Sequence, residues 1–135
     1  MTSLREPFTS VRCEVEHFGL GRYGDPVDPF AAQKAMAALA RVLRPGGSLY
    51  FAVPIGRERV MFNAHRVFAP STILDAFCGL TLVSFAAVDD TGHLKLAEGP
   101  RAYWKADYSC GLFEFRKPHC TDATPAVQSR RRVVE

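Results

Sequence analysis

Hydrophobic and polar positions change their spacing several times along this chain, and each change predicts an element. Val11, Cys13 and Val15 alternate with Arg12, Glu14 and Glu16, a period of two that predicts a strand with one buried face. A glycine-rich loop follows. Asp28-Pro29 then reads as a helix start, with Asp28 as N-cap and proline at the first helical position. Ala32, Met36, Leu39, Val42 and Leu43 share one helical face, and Pro45-Gly46-Gly47 stops the helix. Residues 48–53 are almost continuously apolar, as expected of a strand covered on both faces, and Pro54 and Gly56 end it. Pro70 opens a second helix with Ile73, Leu74 and Phe77 on its apolar side, ended by Gly79. Residues 81–88 read as a third strand closed by the turn Asp89-Asp90-Thr91-Gly92. Residues 93–107 are weakly patterned, and 110–115 alternate as a fourth strand.

The order strand, helix, strand, helix, strand, strand predicts an α/β fold. Its sheet has about four strands, mixed but mostly parallel, because the first two connections contain helices. The last strand has no helix before it and is expected to pair antiparallel. At 135 residues the chain is long enough for one domain with a core. Residues 1–9 read as a lead, 10–117 as the domain and 118–135 as a disordered polar and basic tail.

Composition narrows the function classes. The net charge of +3 is small, and Arg130, Arg131 and Arg132 account for it near the end, so nucleic acid is not an expected partner. No apolar run approaches the ~18 residues of a membrane span, and the first residues lack a signal-peptide core, so a cytoplasmic protein is expected. Cys13, Cys78, Cys110 and Cys120 form no Cys-x-x-Cys pair and read as reduced thiols. Cys120 and His119 lack a second ligand pair, so no metal is expected.

Chemistry concentrates in two loops. The first is Glu16-His17-Phe18-Gly19-Leu20-Gly21-Arg22-Tyr23-Gly24-Asp25-Pro26, and the second ends in Phe62-Asn63-Ala64-His65-Arg66. Each follows a strand, and in a parallel sheet the loops at neighbouring carboxyl ends line one crevice. Glu16, His17 and His65 are the candidate catalytic groups, with either histidine a general base for a hydroxyl or amine. Arg22, Tyr23, Asp25, Asn63 and Arg66 are the candidate substrate-binding groups; the arginines suit a carboxylate or phosphate. Each residue also has a structural alternative. Glu16 and His17 would satisfy backbone in a tight turn, Arg22 and Asp25 would pair locally, Asn63 would form an Asx-turn, and His65 would cap the next helix.

The run Leu43-Arg44-Pro45-Gly46-Gly47-Ser48-Leu49-Tyr50-Phe51 resembles the Leu-(Lys/Arg)-Pro-Gly-Gly turn before the fifth strand of class I S-adenosylmethionine-dependent methyltransferases. A Glu-His pair ending the preceding strand is also common there. More narrowly, the first loop, Pro54-Ile55-Gly56, Phe62-Asn63-Ala64-His65-Arg66 and Cys110-Gly111 resemble the domain of unknown function 268 family, over about residues 10–117. The resemblance implies a partial Rossmann-like methyltransferase sheet, S-adenosylmethionine as cofactor, and a small polar, perhaps sugar-linked, acceptor. A complete methyltransferase of this class begins with a strand, glycine-rich loop and helix that hold the methionine part of the cofactor, and an acidic residue ending its second strand binds the ribose. Neither feature is in this sequence, so the first half of the fold is expected to be absent and the strands to be the fourth to seventh. The strand near residues 11–15 is then an edge, where a second copy or a complementary chain is expected to pair. The alternatives to an enzyme are a non-catalytic binding or assembly module and a truncated fragment.

Overall fold

Seven strands and two α-helices form within residues 6–12 and 14–119, which the computed structural model describes. Strand β1 (Glu6–Arg12) leads through a 3₁₀ turn (Val15–His17) and the glycine-rich loop to helix α1 (Ala31–Val42). The chain passes straight into β2 (Leu43–Ile55), then a hairpin of β3 (Arg59–Met61) and β4 (His65–Val67). Helix α2 (Pro70–Ala76), β5 (Thr81–Val88), β6 (Leu94–Lys95) and β7 (Ser109–Arg116) follow.

The main sheet has the order β1-β2-β7-β5-β6. β1 and β2 pair in parallel through α1, as a helical crossover requires. β7 is antiparallel to both β2 and β5, and β6 is antiparallel to β5. The expectation of about four mostly parallel strands is therefore corrected: the sheet has five strands, and only the β1–β2 pairing is parallel. β2 and β5 run the same way, but β7 inserts between them and replaces one parallel pairing by two antiparallel ones.

The first strand also lies earlier than its alternation predicted. β1 ends at Arg12, and Val15 is a buried anchor of the 3₁₀ turn, 1% exposed. Glu6-Pro7-Phe8 does not read as a strand because Pro7 has no N–H. It is tolerated at this edge, where the register slips from Glu6↔Leu43 to Phe8↔Ser48. The surplus residues on β2 are Arg44-Pro45-Gly46-Gly47, so this segment is a bulge inside the strand and not the helix stop. Gly46 sits there at φ +78° and donates to the Lys117 carbonyl at 2.7 Å. The end of α1 is satisfied from the far end of the chain: the Lys117 ammonium donates to the carbonyls of Ala40 (2.9 Å) and Leu43 (3.0 Å). Helix α1 begins two residues after Pro29. Asp28 does not cap it but accepts the Phe30 N–H at 2.9 Å in a local turn.

One face of the sheet carries the core. Leu49, Phe51, Val53 and Ile55 alternate along β2, each at most 2% exposed, and cluster with Met36 of α1 and with Ile73 and Phe77 at α2. Aromatic rings run through it, with Phe77 5.0 Å from both Phe51 and Phe115, and Phe113 5.0 Å from Phe85. β2 is covered on its second face only toward its carboxyl end, since Ala52 and Pro54 are buried while Tyr50 is exposed. The second helix and the strand at 81–88 stand as the sequence predicts. Cys13, Cys120 and the three tail arginines lie outside the described residues. Among the described residues, no helix is long and apolar enough to cross a membrane.

Candidate functional site

The loop after β1 is held by its own backbone and by the start of α1. Gly19 has φ +73°, donates to the Asp25 carboxylate at 2.8 Å and accepts from the Asp28 N–H at 2.9 Å. A Cβ there would lie 2.2 Å from the Asp28 carbonyl oxygen and 2.6 Å from the Ala31 Cβ. The glycine is thus required because the loop folds back onto the chain entering α1. Asp25 also accepts the Tyr23 N–H at 3.3 Å. Desolvation pushes its carboxyl up, but backbone N–H groups led by that of Gly19 outweigh this and hold it below the usual range. Arg22 does not pair with Asp25; its guanidinium lies over the Tyr23 ring, 5.7 Å from the centroid.

The β3–β4 hairpin packs against this loop. Asn63 turns it through a left-handed backbone (φ 53°), not through an Asx hydrogen bond. Two contacts tie the hairpin to the first loop. His17 Nδ1 donates to the Ala64 carbonyl at 2.6 Å. Arg66, 7% exposed, donates to the Phe18 carbonyl and, at 3.5 Å, to the Asp28 carbonyl. Burial lowers the Arg66 pKa, against the opposing pull of Asp28 and Asp25. His65 does not cap α2, whose N-cap Ala69 has no side-chain bond. Its ring stands 6.4 Å from that of His17 and 5.2 Å from that of Tyr108. Partial burial, and then the charges of His17, Arg59 and Arg22, lower the His65 pKa.

A cleft of about 440 Å³ opens between the loop after β1 and the start of α1, lined by His17, Phe18, Gly19, Tyr23, Asp25 and Asp28 among others and by no described residue of the hairpin. Beyond Phe18 a second groove of about 330 Å³ runs along Ala35, Ala38 and Leu39 of α1. The fold brings His17, Tyr23 and Asp25 to one cleft and sets His65 and Arg22 beside them. Glu16 and Arg66 are buried, and Asn63 is exposed at the hairpin turn. Glu16 Oε1 is 3.7 Å from His17 Nε2, while Oε2 is buried without a partner. Burial raises the Glu16 pKa above the usual carboxylate value. With Nδ1 donating to Ala64, neutral His17 keeps its lone pair on Nε2, the tautomer of a base. Sequence reasoning missed Phe18, which separates the two hollows, and Tyr108. The one signal for Tyr108 was its place just before the alternation of the last strand.

The described residues do not by themselves fit S-adenosylmethionine. The space over Gly19 is filled by Asp28 and Ala31, so the loop is no cradle for a ligand. The Gly19 N–H is taken by Asp25, and Glu16 is too buried to receive a ribose. Among the described residues, no group of three or more His, Cys, Asp or Glu side chains is placed to hold a metal.

The profile of a family described as "Caenorhabditis protein of unknown function, DUF268" matches residues 5–101. No curated protein matches significantly. The N-methyltransferase NodS from Bradyrhizobium japonicum WM9, solved in complex with S-adenosyl-L-homocysteine, is similar with a TM-score of 0.51 and 18% identity, over 84% of this chain and 46% of that one. A second NodS structure gives 0.50 and 20%, over 84% and 51%. The [4+2]-cyclase SpnF gives 0.53 and 14%, also over 84% and 51%. The likeness is one of fold, and the chain spans about half the length of these structures. They include a methyltransferase and a cyclase, so the shared fold does not set the reaction.

Proposed function

The chain belongs to the DUF268 family, and from that premise we propose that it forms the acceptor side of a methyltransferase-like domain. It takes a small polar, sugar-linked acceptor into the cleft between the loop after β1 and the start of α1. His17 is the general base: the Ala64 carbonyl holds its ring, and Nε2 accepts the proton of the acceptor hydroxyl or amine. Glu16, whose Oε1 lies 3.7 Å from the same Nε2, stabilises the imidazolium that forms. Tyr23 and Asp25 position the acceptor inside the cleft, His65, Arg22 and Asn63 act on it from outside, and Arg66 holds the hairpin to the loop that lines it. The observation that carries this reading is the convergence of His17 with Tyr23 and Asp25 on one cleft, with His65 on its border. S-adenosylmethionine is the cofactor the lineage implies, and it requires residues beyond those of the cleft.

A second reading is favoured by the filled space over Gly19: a binding module that keeps the acceptor crevice without the transfer. β1 lies at the sheet edge, and a complementary chain or a second copy pairs there. Calorimetric titration with S-adenosylmethionine separates the readings. Saturable heat, followed by methylation of a sugar that His17→Gln abolishes, supports the enzyme. Absence of heat at millimolar cofactor rejects a self-sufficient enzyme. Light scattering tests the edge, where a stable monomer would reject obligate self-pairing.

A further inference from the structure

We propose that the acceptor is amphiphilic, with its sugar in the cleft and an alkyl chain that crosses Phe18 into the apolar groove along α1. This acceptor class rests on the acceptor-site reading above. The two hollows meet at one side chain. Among the described residues, Phe18 is the one common to the linings of the cleft and the groove. It is 42% exposed, and its backbone is held from both sides: its N–H donates to the Val15 carbonyl at 3.2 Å, and its carbonyl accepts from Arg66. Phe18 is thus a fixed apolar sill between the two spaces, open to a group that lies across it.

The groove suits an apolar chain. Ala35, Ala38, Leu39 and Val42 follow the i, i+3, i+4, i+7 spacing and form one stripe down α1, ~10 Å long. The stripe is separate from core-facing Ala32 and Met36, at positions where a surface helix ordinarily carries polar side chains. Val15 and Phe18 close the other side, and Glu14 is the one charged residue in the lining. The two alanines leave space that longer side chains would fill. Direction follows from the loop. A Cβ on Gly19 would meet Ala31, so Phe18 stands near the start of α1, whereas Val42 is the last residue of that helix. A chain that leaves the cleft at Phe18 therefore runs along the helix and away from the sugar. The polar groups sort the same way, since His17, Tyr23 and Asp25 line the cleft and not the groove. A ligand with one polar and one apolar end answers both hollows, and a free sugar would leave the groove facing water.

The test is a titration of the whole chain with methyl and octyl β-glucoside, which share a head and differ in the chain. It is read through the His17 imidazole signals and the Leu39 and Val42 methyl signals, with the octyl compound below its micelle concentration. Both glucosides should move His17, and only the octyl compound should move the methyls. It should bind about tenfold tighter or more, the effect of burying about two methylenes. Ala38→Leu fills the groove and Val42→Glu places a charge in it. Each should remove that gain and keep the methyl glucoside shift at His17, which also reports an intact cleft. Equal affinity for the two glucosides, or a gain retained in both variants, overturns the apolar arm and leaves the acceptor-site reading. Methyl signals that shift with protein concentration alone assign the groove to a second copy of the chain and overturn it too. No His17 shift with either glucoside, even where the groove signals move, marks adsorbed detergent only and sinks the acceptor-site reading with the inference.

Discussion

Arg66→Met should loosen the site without touching the cleft. The guanidinium is buried and bonds two carbonyls, those of Phe18 and Asp28, in the segment that lines the cleft. A hydrogen bond from a charged donor contributes about 1.5–3 kcal/mol. The Phe18 contact is counted in full, and the 3.5 Å contact to Asp28 adds little. Methionine keeps most of the apolar stem and relieves the desolvation of the charge, which offsets part of the loss. The net expectation is a loss of about 2 kcal/mol, or roughly 8 °C in Tm for a domain near this size. Urea unfolding measures it: the midpoint should fall with an unchanged slope. Amide exchange adds a local readout. The Asp28 N–H, bonded to the Gly19 carbonyl, should lose protection more than amides of β2. A midpoint shift worth less than about 0.5 kcal/mol, with Asp28 still protected, would refute the view that Arg66 locks the hairpin to the loop.

Gly19→Ala should cost about 3 kcal/mol or more, since it combines left-handed strain with a clash against the backbone of Asp28; a thermal melt within a degree of the parent would contradict this. Lys117→Met should cost about 1–2 kcal/mol by leaving the end of α1 without its cap, visible as a lower urea midpoint and faster exchange in the last turn of α1. Asp25, Asp28, Asp89 and Asp90 are all held below ordinary carboxylate values, by contacts led by the Gly19 N–H, Lys34, the His93 N–H and the Asp107 N–H. Their stabilisation is complete above about pH 4, the unfolded range, and is lost as pH falls through the folded values, so acid titration should lower the urea midpoint. Glu16 has the opposite sign: its raised pKa favours the fold at low pH, and that share is lost as pH rises through the folded value. Glu16→Gln should therefore gain on the parent at neutral pH, with the gain vanishing in acid; an equal difference at both would count against a buried, uncompensated carboxylate.

Periodicity was enough for the elements whose neighbours are local. The apolar face of α2, the strand at 81–88 and the alternation of the last strand could each be read from the chain, because burial on one side imposes a period. The glycines and polar groups of the first loop marked a crevice for a similar reason: propensity does not call for them. What the chain could not declare was pairing. Whether β2 meets β5 or β7 depends on where the last strand inserts, and no local period encodes that. The Pro45-Gly46-Gly47 segment looked like a helix stop and became a bulge because β7 stitches it in place through Lys117. The candidate site divides in the same way. Sequence alone determined which residue types gather in the two loops. Only the tertiary structure decided that His17 lines the cleft while Glu16 and Arg66 are buried outside it, because burial and hydrogen-bond partners are set by the β3–β4 hairpin packing against the loop.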